Sequence, residues 1–100
     1  SATWQGSLNM WYLYIIRCVD SSLYTGITTD VERRFNEHAD QGKLAAKYLL
    51  GKAPLTLVFT VEVGTRSEAS TLEMRLKKMA KADKELVVSG DKSLTDLGLV

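Results

Sequence analysis

The segment Trp11-Tyr-Leu-Tyr-Ile-Ile-Arg17 constrains this chain more than any other, because aromatic and β-branched side chains fall on both of its alternating faces. A strand of that pattern is stable only when both faces are covered, so it belongs in the middle of a sheet with other elements packed on either side. The chain has 100 residues, 45% apolar and 25% charged, which suits one ordinary globular domain and excludes two. A chain this size buries roughly two-thirds of its unfolded surface, enough for a core that needs no staples. Cys18 is the one cysteine, so neither an intramolecular disulfide nor a four-cysteine zinc site can form, and a reducing, cytoplasmic setting is expected. The longest apolar runs, Trp11–Ile16 and Leu55–Val63, fall short of the ~18 residues a membrane span needs, and no signal-peptide pattern is expected before them.

The remaining elements follow from local pattern. Asp20-Ser-Ser22 supplies turn residues, and Leu23-Tyr-Thr-Gly-Ile-Thr28 reads as a second strand returning antiparallel. Thr29-Asp-Val-Glu32 has the spacing of a helix capping box, and Val31, Phe35 and Ala39 recur at fourfold spacing, which predicts a helix over about Asp30 to Asp40. Lys43 to Gly51 is either a short helix or an ordered loop, closed by Pro54. Thr56–Val63 is the third strand, and Gly64 ends it. Thr65 or Ser67 caps a second helix whose apolar positions Ala69, Leu72, Leu76, Met79 and Ala80 share one stripe. A short third helix over about Asp83 to Val88 stops at Ser89-Gly90. The expected fold is therefore α+β: a small three-stranded antiparallel sheet flanked by helices, in the order β-β-α-β-α-α. Residues 11–88 form the domain, with 1–10 and 89–100 as tails, the second a loose end or a dimer contact.

Several residues exceed what a plain domain of this kind requires. Tyr14 and Tyr24 lie on adjacent strands of one hairpin and meet if the register allows it, whereas strand aromatics ordinarily just pack. Gly26 sits in mid-strand, where glycine costs stability and marks a bulge or a close approach. Arg34 and His38, four apart, stack on one helix face at the rim of the packed stripe, where an arginine can fork onto phosphate and a histidine can exchange a proton. Their ordinary reading is an exposed surface pair. Glu73 borders the apolar stripe of the second helix, flanked by Ala69, Leu76 and Ala80, a partly desolvated place for a carboxylate and a favourable one for a divalent metal. Its ordinary reading is an ion pair with Lys77, one helical turn on. Lys47, Tyr48 and Lys52 interleave charge and aromatic surface before the third strand, as a backbone contact or base-stacking patch would, or simply decorate an amphipathic turn.

Taken together, Tyr12-Leu-Tyr14, Tyr24-Thr-Gly26, Arg34, His38 and Leu72-Glu73 followed by Lys77-Lys78 resemble the GIY-YIG nuclease superfamily in identity, order and spacing, and most nearly its small stand-alone bacterial members. The resemblance covers about Trp11 to Val88. It departs from the family pattern at Tyr12-Leu13, in place of glycine-isoleucine, and at Thr25, in place of isoleucine. No asparagine follows the glutamate of the second helix, since the chain has only Asn9 and Asn36. The resemblance implies a metal-dependent endonuclease that hydrolyses phosphodiester bonds, with Tyr14, Tyr24, Arg34 and His38 catalytic, Gly26 structural, and Glu73 holding one Mg²⁺ or Mn²⁺. In that scheme Arg34 neutralises transition-state charge, one of the two tyrosines orients or deprotonates the water, and His38 accepts a proton or tunes a tyrosine.

Charge tempers the substrate expectation. Thirteen basic residues against twelve acidic leave +1, far from a phosphate-binding balance. Arg66 to Glu85 holds six basic residues and four acidic ones, a modest local excess that a solvated helix explains equally well. So small and weakly charged a surface offers little for reading bases. The expected substrate is DNA chosen by structure, in repair or processing, with RNA as the other candidate. Two rival readings stand beside this one: a catalytically weak nucleic-acid-binding module that has kept the fold, and a protein-interaction domain whose motif residues only pack.

Overall fold

The computed structural model describes residues 10–100. The expected tail over residues 1–10 falls almost entirely outside that range. Three antiparallel strands, β1 (Trp11–Arg17), β2 (Leu23–Thr28) and β3 (Thr56–Gly64), form one sheet in the order β2-β1-β3. The doubly apolar strand is central, as its pattern requires. Leu13 and Ile15 point to one face and Tyr14 and Ile16 to the other, and all four are buried. The hairpin between β1 and β2 closes through Cys18 and Ser22, whose backbone N–H and C=O meet at 2.9 Å, while the Asp20 carboxylate accepts from the Ser22 N–H at 3.0 Å.

Helices divide between the two faces. On one, α2 (Arg66–Lys77) and α3 (Lys81–Ser89) bring Leu72, Leu76 and Val87 onto Leu13 and Ile15. On the other, α1 (Val31–Ala39) lays Val31 and Phe35 against Tyr14 and Ile16, and a single 3₁₀ turn (Lys47–Leu49) seals that core with the fully buried Leu49. The segment between Lys43 and Gly51 is thus an ordered loop built round this turn.

Caps refine the expected boundaries. Asp30, not Thr29, caps α1: its backbone is extended and its carboxylate accepts from the Arg33 N–H. Of the two candidates for α2, Thr65 forms the cap, in a reciprocal box with Glu68. α2 also ends sooner than its stripe suggests. Lys78 is its C-cap, and Ala80 turns extended to begin α3, so Ala80 does not flank Glu73. α3 starts two residues earlier than expected, because nothing between Lys81 and Asp83 breaks a helix, and it ends on Gly90 at φ 86°, a left-handed cap that glycine adopts without penalty.

The C-terminal segment departs most from expectation. Not a loose end, it folds back and buries Leu94 and Leu99 in the core under α2 and α3. Two leucines at that spacing match no regular period, so only the cavity they fill reveals them.

Candidate active site

The β1–β2 register sets the site. Tyr14 pairs with Gly26 and Ile16 with Tyr24, so the two tyrosines are diagonal neighbours on one face, with ring centroids 6.4 Å apart. Gly26 explains itself here. The Tyr14 ring lies across it, and a Cβ at that position would stand 2.5 Å from Tyr14 Cζ and overlap the hydroxyl. Tyr14 cannot step aside cheaply, being 2% exposed and hydrogen-bonded at its tip. Gly26→Ala is expected to destabilise the fold by about 1–3 kcal/mol, the usual cost of overpacking a filled core. Urea denaturation measures it, and an unchanged midpoint would mean that Tyr14 is free to move.

His38 is the side chain that the helical pattern misplaces. It is not at the rim but fully buried, the sole buried residue of α1. Val31, Phe35 and His38 stand at i, i+4 and i+7 on one face, while Ala39, the expected third member, is exposed. The Tyr14 hydroxyl meets His38 Nε2 at 2.9 Å, and the Ala46 N–H donates to Nδ1 at 3.2 Å. A backbone amide can only donate, so Nδ1 carries the lone pair and the neutral ring carries its proton on Nε2, donating to the Tyr14 oxygen. His38 therefore positions Tyr14 and has no free nitrogen with which to take its proton.

Burial, and then the charge of Arg34, lower the His38 pKa to about 4. Because the folded value lies below the ordinary 6.5, the unfolded chain binds the extra proton first, and stability falls as pH drops from about 6.5 towards 4. The slope is on the order of 1 kcal/mol per pH unit. Thermal denaturation from pH 7 to 5 is expected to show this slope in the parent and a shallower one in His38→Gln, with identical slopes contradicting the buried neutral ring.

Arg34 and Glu73 both act on the same phenol, that of Tyr14. The Arg34 guanidinium donates to Glu37 Oε1 at 2.8 Å and to the Leu44 carbonyl at 2.6 Å. It also lies beside the Tyr14 hydroxyl. Burial first, then Tyr24, push the Tyr14 pKa well above the ordinary phenol value, against the downward pull of Arg34, and Glu73 from α2 adds to the rise. Glu73 is half-buried and pairs with Lys77 Nζ at 3.4 Å, while that ammonium stands 5.8 Å from the centroid of the Tyr24 ring. Four elements thus bring Tyr14, Tyr24, Arg34, His38 and Glu73 into one cluster at the β2 side of the sheet.

A second aromatic step leads outward. The Tyr48 ring stacks on Tyr24 with centroids 5.9 Å apart, and Lys52 Nζ sits 3.5 Å from the centre of the Tyr48 ring. Lys47 begins the turn and is exposed.

Among the described residues no group of three or more His, Cys, Asp or Glu is placed to hold a metal ion. Glu73 alone offers an anionic oxygen beside the tyrosines, a donor set that excludes a closed zinc-type site and fits a hard, largely hydrated cation. Sequence reading passed over two supports. One is Glu37, whose i, i+3 spacing from Arg34 was the available signal. The other is Gln41, whose amide ties the Leu49 carbonyl and the Gly51 N–H and carries no sequence signal at all.

Comparison with known proteins fits this geometry. Residues 10–86 match the model of the GIY-YIG catalytic domain. The chain is 56% identical over 81 residues to a UPF0213 protein of Cronobacter sakazakii, covering 81% of this chain and 83% of that one. It is 49% identical over 87 residues to the UPF0213 protein YhbQ of Escherichia coli, covering 87% and 85% respectively. Among solved structures, the solution NMR structure of the UPF0213 protein BH0048 from Bacillus halodurans is similar with TM-score 0.53 and 38% identity, over 87% of this chain and 90% of that one. That of the protein EF2693 from E. faecalis gives TM-score 0.56 and 36% identity, over 81% and 84%.

Proposed function

Because the chain belongs to the GIY-YIG catalytic-domain family, we propose that it is an endonuclease that hydrolyses phosphodiester bonds in DNA, selected by structure rather than sequence, in repair or processing. The observation that carries this reading is the convergence of Arg34, Glu73 and two phenols on one locus, with His38 locking Tyr14 from behind. Such hydrolysis needs a water in line with the leaving oxygen and cationic groups where charge develops.

Arg34 supplies fixed positive charge next to the Tyr14 hydroxyl. To reach a phosphate, its fork must share or exchange the Glu37 carboxylate, a rearrangement of two partly buried side chains. With its oxygen already accepting from His38, Tyr14 keeps its own proton for donation, in this reading to a phosphate oxygen or to the attacking water. Tyr24 is less buried than Tyr14 and is the phenol open to solvent, so it orients that water. Glu73 is the residue that would hold Mg²⁺ or Mn²⁺, whose contribution when bound is Lewis-acid neutralisation of the phosphoryl charge. Solvent and substrate oxygens fill the rest of such a shell.

One observation favours the second reading, a binding module that has kept the fold: Glu73 already has Lys77 as its counter-charge. Cleavage of labelled single-stranded, duplex, flap and branched DNA, and of RNA, in Mg²⁺, Mn²⁺ and EDTA separates the two. Metal-dependent cutting is expected. Folded protein that binds nucleic acid in a salt-sensitive way without cutting it would establish the binding module instead. Work on DNA in the cytoplasm or on the nucleoid is part of the proposal; no helix among the described residues is long and apolar enough to cross a membrane.

A further inference from the structure

Building on the nuclease reading, we infer that Tyr48 and Lys52 form a stacking subsite for an unpaired nucleobase adjoining the reacting phosphate. Tyr48 is 46% exposed and does not anchor its turn, a task that falls to the fully buried Leu49. The turn itself is braced on every side. The Ala46 N–H binds His38, the Gln41 amide bridges the Leu49 carbonyl and the Gly51 N–H, and the Lys52 carbonyl accepts from Val19 at 2.9 Å. A large aromatic ring held rigidly at the surface loses little entropy when a planar ligand stacks on it.

The ring row continues into the site. Tyr48 stacks on Tyr24 at 23° between planes, and Tyr24 meets His38 edge-on at 5.6 Å. A base on Tyr48 therefore belongs to the nucleotide next to the scissile phosphate. The Lys52 ammonium now stands over the Tyr48 ring, held otherwise by Asp20 at 3.6 Å. Contacts of this kind at exposed positions are weak, so an arriving base displaces the ammonium onto its own phosphate.

Charge points the same way. With a net +1, the protein can neutralise few phosphates, so binding must draw on stacking more than on counterion release. Bases inside a duplex have both faces covered by their neighbours. The subsite thus selects single-stranded nucleic acid, or the unpaired stretch of a flap or bulge.

Fluorescence titration in EDTA of oligonucleotides carrying 2-aminopurine tests this, with the probe unpaired or within a duplex, as DNA and as RNA. The parent is expected to quench the unpaired probe and bind it in preference to duplex, the DNA and RNA arms showing which sugar is preferred. Tyr48→Leu should weaken that binding about ten- to a hundredfold, with duplex binding unchanged. Tyr48→Phe, which keeps the ring face, should restore it. If the parent binds and cuts but Tyr48→Leu binds single strands as well as the parent, or loses duplex equally, the subsite is wrong and the nuclease reading stands. A parent that neither binds nor cuts would overturn both.

Discussion

Glu73→Gln is expected to lower cleavage by about a thousandfold or more, the rate equivalent of several kcal/mol of lost transition-state stabilisation. Glutamine keeps the shape and removes the carboxylate charge that Glu73 offers a divalent ion. Folding should be nearly indifferent. The lost ion pair with Lys77 is a half-exposed i, i+4 contact at 3.4 Å, a type that contributes under about 1 kcal/mol. Single-turnover cleavage over a Mg²⁺ titration, beside a melting curve, makes the measurement. A flat loss that added metal does not relieve, with the melting point unmoved, is the expected result. Parent-like cutting by this variant would remove Glu73 from the site.

Arg34→Ala comes second, with an expected loss of about a hundred- to a thousandfold in kcat, the range seen when one donor to a developing anion is removed. KM should change far less, because in the proposed mechanism the guanidinium acts on charge that develops in the transition state, and it is partly satisfied by Glu37 and the Leu44 carbonyl before substrate arrives. Steady-state kinetics on the best substrate of the cleavage panel separates the two parameters. A rise in KM alone would make Arg34 an anchoring residue. Tyr14 serves as an internal reference, since removing Arg34 takes away a charge that holds its pKa down.

Some of this was legible before any coordinates. The alternation in Trp11–Arg17 demanded a central strand, Thr65 with Glu68 announced a helix start, and the identity and order of Tyr14, Tyr24, Gly26, Arg34, His38 and Glu73 carried the family resemblance. The burial of His38 was not legible, although a 0, 4, 7 stripe from Val31 passes through it, because fourfold spacing favoured Ala39 and a histidine reads as polar until its partners are known. Leu94 and Leu99 read as a tail for a related reason. Their burial is a property of the space beneath α2 and α3 and not of their own neighbours in sequence.

The sequence alone determined the elements and which chemical groups the chain carries, since helix and strand periods, caps and turns depend on residues only a few positions apart. Only the tertiary structure decided what those groups do to one another. The tautomer of His38 rests on the Ala46 amide, the place of Gly26 on the Tyr14 ring, and the joint influence of Arg34 and Glu73 on Tyr14 on where α1 and α2 pack. Each depends on how separate elements pack, where burial and direction together set charge, and no local pattern encodes either.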